Sequence, residues 1–180
     1  MPVRFTRCLG GMLVALAMIG PGAMAQTASP SDQFWAEPAG TPITLMTGVQ
    51  DSLHYAPLTY RDDEWYGSTF WTGPDWTRVG KDWQHPGQNT SSIRRFTSAE
   101  DGRVTITGRV SKAHLDGDGV RVSVLQGRKT VWLAEIEGRD GDGVEPNITL
   151  DVRRGDAIRF VVHKRGQIAC DTTHWDPVIT

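Results

Sequence analysis

Four of the chain's seven tryptophans, Trp65, Trp71, Trp76 and Trp83, fall in one run, EWYGSTFWTGPDWTRVGKDWQHPG, residues 64–87. An indole offers two chemistries. Buried, it supplies apolar area; exposed, it supplies a flat face on which CH groups or cations stack. Gly67, Gly73, Pro74 and Gly80 break the run, so one strand face cannot take all four rings. Binding side chains concentrate on such irregular segments when a rigid scaffold holds them. The expected division is Trp65 packed inward and at least one of Trp71, Trp76 and Trp83 open to solvent. The turn that Gly73 and Pro74 force makes WTGPDW the best site for an exposed ring. Asp75 and His85 are the neighbouring groups able to hydrogen-bond hydroxyls. His85 precedes Pro86, which holds it extended, so it reads either as a turn anchor or as a ligand contact.

The acidic turns come next. LDGDGV (residues 115–120) and RDGDGV (residues 139–144) each carry two carboxylates at i and i+2, the spacing with which a loop converges on calcium. Asp116, Asp118, Asp140 and Asp142 are the candidate metal ligands, with backbone carbonyls. An EF-hand needs a third oxygen two residues on, and Val120 and Val144 stand there instead. Plain turn chemistry, for which Asp and Gly are suited, is the default and structural calcium the alternative.

Other chemistry finds less support. His54, His85, His114, His163 and His174 show no local zinc spacing. There is no GxSxG elbow and no phosphate-cradling glycine loop. Carboxylates that converge in space for glycosidic cleavage leave no mark in sequence, so a small hydrolase or lyase stays open as an alternative. Asp62, Asp63 and Glu64 read as a solvated loop. Arg103, Arg109, Arg121 and Arg159 point outward, as a charged sheet surface or as a face for an acidic polymer.

The elements that must position these residues are strands. GRVTITGRV places Val104, Ile106 and Val110 on one face, with Gly108 marking either a bulge or a close approach of backbone. Val120, Val122 and Val124 alternate with Arg121 and Ser123, and TVWLAEI is a third strand. Residues 126–129 between these two carry a tight hairpin signal. Ile148, Leu150 and Val152 form a fourth inward set. Ile158, Phe160 and Val162 form a fifth, with Arg159 and His163 outward, after a turn at Arg154, Gly155 and Asp156. Trp132 and Trp175 read as core. Short alternating strands without helical periodicity imply an all-β fold, an antiparallel β-sandwich of jelly-roll type.

The first 25 residues read as a secretory signal peptide. Arg4 and Arg7 precede an apolar run that is too short to span a bilayer, and Ala23, Met24 and Ala25 give a cleavage pattern. Residues 26–50, rich in Ser, Pro, Ala and Gly, read as a linker or N-terminal arm, and residues 51–180 as one domain. Removing the leader shifts the net charge from −2 to −4, which argues against nucleic acid. No later segment is apolar enough to span a membrane. Cys170 is then the sole cysteine, expected as a buried, unpaired thiol.

Residues 80–180 resemble a β-sandwich accessory module of secreted bacterial proteins, often found beside polysaccharide-degrading domains. The resemblance rests on five features: His85, Pro86 and Gly87; Arg95 and Phe96; the Gly117 to Val120 turn; Gly155 with Asp156; and Asp171, Trp175, Asp176 and Pro177. It implies carbohydrate binding, by association with neighbouring domains. The expectation is an exported, periplasmic or secreted, non-catalytic glycan binder. Trp71, Trp76 and Trp83 would stack on sugars, and Asp75 and His85 would bond hydroxyls. A structural subunit docking to another exported protein is a further alternative.

Overall fold

The computed structural model describes residues 26–27, 34–38 and 56–180. The leader expected over residues 1–25 and most of the arm lie outside the described residues. The strands in chain order are β1 (Gln26–Thr27), β2 (Phe34–Pro38), β3 (Ala56–Pro57), β4 (Thr59–Trp65), β5 (Ser68–Thr72) and β6 (Arg78–Val79). There follow β7 (Trp83–His85), β8 (Thr90–Thr97), β9 (Gly102–Thr107), β10 (Val110–Lys112) and β11 (Val120–Gln126). The chain ends with β12 (Lys129–Ile136), β13 (Ile148–Val152), β14 (Ala157–Lys164), β15 (Thr173–Trp175) and β16 (Val178–Ile179).

Every pairing is antiparallel. One six-stranded sheet runs β12-β11-β14-β8-β2-β3. A second six-stranded sheet runs β10-β15-β7-β6-β5-β4, and a four-stranded sheet runs β1-β16-β9-β13. The chain passes from β9 to β10 through Gly108, whose φ is +108°, and from β15 to β16 through Asp176 and Pro177. These breaks let the four-stranded sheet and the second six-stranded sheet together oppose the first. The result is the expected antiparallel β-sandwich.

The period-two pattern explains the core. Val122, Val124, Ile158, Phe160 and Val162 from the large sheet meet Val104, Ile106, Val110, Trp175 and Ile179 from the opposing layer. Each such side chain contributes about 1.5–3 kcal/mol on burial. Trp132 and Phe160 brace Trp175, with ring centroids 6.1 and 5.5 Å from it. Ile148 and Leu150 pack against this core but are only partly buried, because β13 is an edge strand. Residues 26–50 include β2, which pairs with β8 from Phe34↔Arg94 to Pro38↔Thr90, so part of the arm is a strand of the large sheet.

Two outward readings and one inward reading change. Ser123 is fully buried, and Ile93 and Val161, on the same face of the large sheet, are buried with it. The centre of that sheet is thus covered on both sides. His163 is half-buried rather than solvated; its Nδ1 bonds the Lys164 carbonyl at 2.5 Å, and burial lowers its pKa. Cys170 is free but only partly buried. It sits at φ +63° in a turn, a backbone conformation uncommon for a residue with a Cβ.

Candidate functional site

The second six-stranded sheet turns one face to the core and the other outward, and its register sorts the aromatic run. Val79 pairs with Gln84 and Trp71, and Gln84 pairs with Thr173; this is the inner set. Arg78 pairs with His85 and Thr72, so the side chains of Arg78, His85, Thr72 and Phe70 form the outer set. A bulge between Arg61 and Glu64 resets β4 so that Trp65 pairs with Ser68, on the same outer side as Phe70. Tyr66 and Gly67 close the β4–β5 hairpin with φ of 49° and 75°, the signs a two-residue primed turn requires.

An aromatic cluster therefore fills the outer face. Trp83 is its floor. Its ring lies 5.1 Å from Trp65, 5.8 Å from Tyr66 and 5.9 Å from Phe70, and its Nε1 donates to Ser68 Oγ at 3.1 Å. Trp65 and Tyr66 stand over it, half-buried, and Tyr66 meets the exposed His114 at 5.4 Å. Trp83 is fully buried, which corrects its assignment as a sugar-stacking ring: both of its faces lie against protein.

Trp76 projects from a different device. Pro74 to Trp76 form a single 3-10 turn, closed by Thr77 N–H to Pro74 O at 3.0 Å and Gly73 N–H to Thr77 O at 2.8 Å. Asp75 and Trp76 adopt φ of 56° and 75°, unusual for residues with a Cβ. The turn is held from below by the segment after His85. Gln88 N–H donates to Asp75 O at 2.8 Å, and the Thr77 and Thr90 hydroxyls bond each other. A Cβ on Gly87 would lie 2.3 Å from Thr90 Oγ1 and 2.8 Å from Asp75 O, so glycine is needed for this approach. Trp76 is left 59% exposed and Asp75 is exposed beside it.

Arg78 joins the two parts. Its guanidinium carbon lies 4.0 Å from the Trp76 ring centroid, 4.4 Å from Trp65 and 5.2 Å from Phe70. Such contacts are worth about 0.5–2 kcal/mol each, more where water is excluded. His85, beneath, is 7% exposed. Burial is the main cause that brings its pKa down to about 4, and the charges of Arg78 and Lys112 act in the same direction. The neutral ring donates from Nδ1 to Pro86 O at 2.7 Å. It is thus a turn anchor under the platform, with little surface for a ligand.

Trp71 lies apart. It belongs to the inner set, at the edge of the sandwich, and packs edge-to-face on the exposed Tyr60 at 5.2 Å. Trp71 and Trp76 therefore face opposite sides of one sheet and do not share a sugar. The sequence pointed to Asp75 and Trp76, but it missed Phe70 and Arg78 as site-formers and read Trp65 as core. The alternation of Ser68, Phe70 and Thr72 was the available signal for the first.

In the acidic loops, Asp116, Asp118 and Asp140 each have one carboxylate oxygen that accepts backbone N–H groups, while Asp118 Oδ1 is buried without a partner among the described residues. Asp140 Oδ1 accepts from Asp142 N–H at 2.9 Å and Gly143 N–H at 2.8 Å. Asp116 Oδ1 accepts from Gly117 N–H at 2.8 Å, and Asp118 Oδ2 accepts from Gly166 N–H at 2.5 Å. Among the described residues no three His, Cys, Asp or Glu side chains are grouped to hold a metal. The outward arginines are likewise engaged. Arg103 pairs with Asp151 at 3.0 Å and Arg121 with Glu135 at 2.8 Å, while Arg109 and Arg159 donate to the carbonyls of Gly141 and Gly127.

No protein-family model and no curated protein matches the chain. Similar solved structures include carbohydrate-binding modules. A family 51 module from Clostridium perfringens, in complex with methyl-galactose, is 15% identical at TM-score 0.39, covering 63% of this chain and 81% of that one. The xylan-binding module of family 15 is 12% identical at TM-score 0.40, covering 88% and 95%. A family 35 module from Paenibacillus barcinonensis is 12% identical at TM-score 0.37, covering 87% and 98%. At these values the fold assignment rests on the strand pairing described above. Among the described residues no helix is long and apolar enough to cross a membrane.

Proposed function

We propose that the outer face of the second six-stranded sheet is a glycan-binding platform and that the protein is a non-catalytic, exported carbohydrate binder. The observation that carries the reading is the exposed Trp76 ring, braced by Arg78 above the cluster of Trp65, Phe70 and Trp83. An aromatic ring held exposed by a turn of unusual backbone conformation motivates a functional reading of that turn. A pyranose offers a flat CH face to such an indole and hydroxyls to the polar groups around it. Asp75 is the exposed carboxylate at hand, Thr72 shares the outer face with Arg78, and His114 stands against Tyr66.

The test is retardation of the full chain in gels containing a panel of polysaccharides, with product release followed in parallel. The reading expects retardation by at least one glycan without turnover, and loss of retardation in Trp76→Ala. Turnover of a polymer would favour the hydrolase or lyase alternative. No retardation by any glycan, with co-purification of an exported protein, would favour the docking subunit.

A further inference from the structure

We infer that the glycan taken by this platform is acidic and that Arg78 receives the carboxylate of a uronic acid unit. The inference rests on the proposed platform and adds the ligand's charge class to it.

Its basis is the unmet chemistry of one side chain. Arg61, Arg94, Arg103, Arg121 and Arg165 each have a carboxylate within 3.6 Å. Among the described residues Arg78 has none. It also makes no hydrogen bond to them, and its Nε is buried without a partner. A guanidinium carries five donors, and leaving several unsatisfied in a partly dry site is costly. With three rings within 5.2 Å of its central carbon, its faces are taken up by aromatic contacts and its bonding capacity lies at the N–H edge.

The surrounding charge points the same way. Arg61 lies on the same outer set and acts on Arg78 as a like charge. Arg61 is partly neutralised by Asp63 at 3.0 Å, but both are exposed and the pair is weak. Arg78 is therefore a cation against an aromatic floor whose charge is met by no ion pair among the described residues. Sugar hydroxyls satisfy single donors without balancing this charge. A carboxylate matches the planar fork in both geometry and sign. Trp76 and Arg78, 4.0 Å apart, would let one uronate unit stack and pair at once.

The experiment compares binding of the full chain to a polyuronate, to the same polymer after its carboxyls are reduced to alcohols, and to a sulfated glycan. The expected result is at least tenfold tighter binding to the polyuronate than to the reduced polymer, weakening as salt rises. Arg78→Gln should abolish that preference while circular dichroism shows the fold retained and the melting temperature falls by the lost ring contacts, and Arg78→Lys should recover only part of the preference. Equal binding to the native and reduced polymers overturns the inference and leaves the platform standing. So does a preference that survives in Arg78→Gln, or tighter binding to the sulfated glycan than to the polyuronate. Failure to bind any glycan overturns both readings.

Discussion

Trp65 and Trp83 meet edge to face, with ring centroids 5.1 Å apart and planes at 89°. The contact joins a half-buried ring on the hairpin to a fully buried one on β7, and so fixes which tryptophans in the cluster are structural. Trp83→Ala should cost about 3–5 kcal/mol, the range for large core truncations. Trp76→Ala should leave stability within about 1 kcal/mol, its loss being the contact with Arg78. Urea unfolding of both variants decides the matter. Equal losses would mean that the exposed ring is as structural as the floor.

Gly87 carries a sharper test of how the platform is held. Its missing Cβ admits the Thr77 and Thr90 hydroxyls and the Asp75 carbonyl. Gly87→Ala should displace the turn that bears Trp76 and destabilise the domain by about 1–3 kcal/mol, as overpacking does. Fluorescence of the exposed indole should change with it. An unaltered spectrum and melting point would show that the turn does not depend on this approach.

The acid side of the stability curve should be set by two opposed groups. His85 titrates at about 4 in the fold against an ordinary value of 6.5, so its contribution is present above pH 6.5 and lost as pH falls toward 4. The full effect is about 3 kcal/mol. Asp171, pushed up to about 6 by burial despite Lys112, contributes in the reverse sense. Its term is present below its ordinary 3.8 and lost as pH rises through 6. His85→Gln should therefore convert a flat profile between pH 4 and 6.5 into one that rises on acidification. A stability difference between parent and variant that is the same at pH 4 and pH 7 would refute the assignment.

The buried ion pair of Asp171 with Lys112 has its own prediction. Lys112 Nζ lies 3.2 Å from Asp171 Oδ1 with neither side chain exposed, and it also bonds the Cys170 carbonyl. Lys112→Met alone leaves a buried carboxylate and should cost about 3–5 kcal/mol, whereas Lys112→Met with Asp171→Leu should recover most of it. Chemical denaturation of the two variants is the measurement. A double variant no more stable than the single one would contradict the pairing argument.

Calcium offers the last check. With the Asp116, Asp118 and Asp140 oxygens accepting backbone N–H groups, the turns hold themselves. The melting temperature is expected to be the same in EDTA and in excess calcium. A rise with calcium would mean that a loop binds the ion, since a ligand specific to the folded state stabilises it.

The alternation of Val104 and Ile106, of Val120 to Val124 and of Ile158 to Val162 was enough, by itself, to determine an all-β antiparallel sandwich and most of its core. A two-residue period can be satisfied only by strands that bury one face, and that information is local. The punctuated WTGPDW segment likewise marked Trp76 as the place for an exposed ring, because Gly and Pro dictate a turn wherever they stand. Which face each remaining indole occupies was decided only in three dimensions. The bulge that brings Trp65 beside Phe70, the pairing that sends Trp71 inward and the burial of Trp83 depend on cross-strand register and on neighbours distant in sequence. Arg78 is the clearest case. Nothing in its flanking residues distinguishes it from the outward arginines, and only the assembled sheet places it against three aromatic rings, with no ion pair among the described residues.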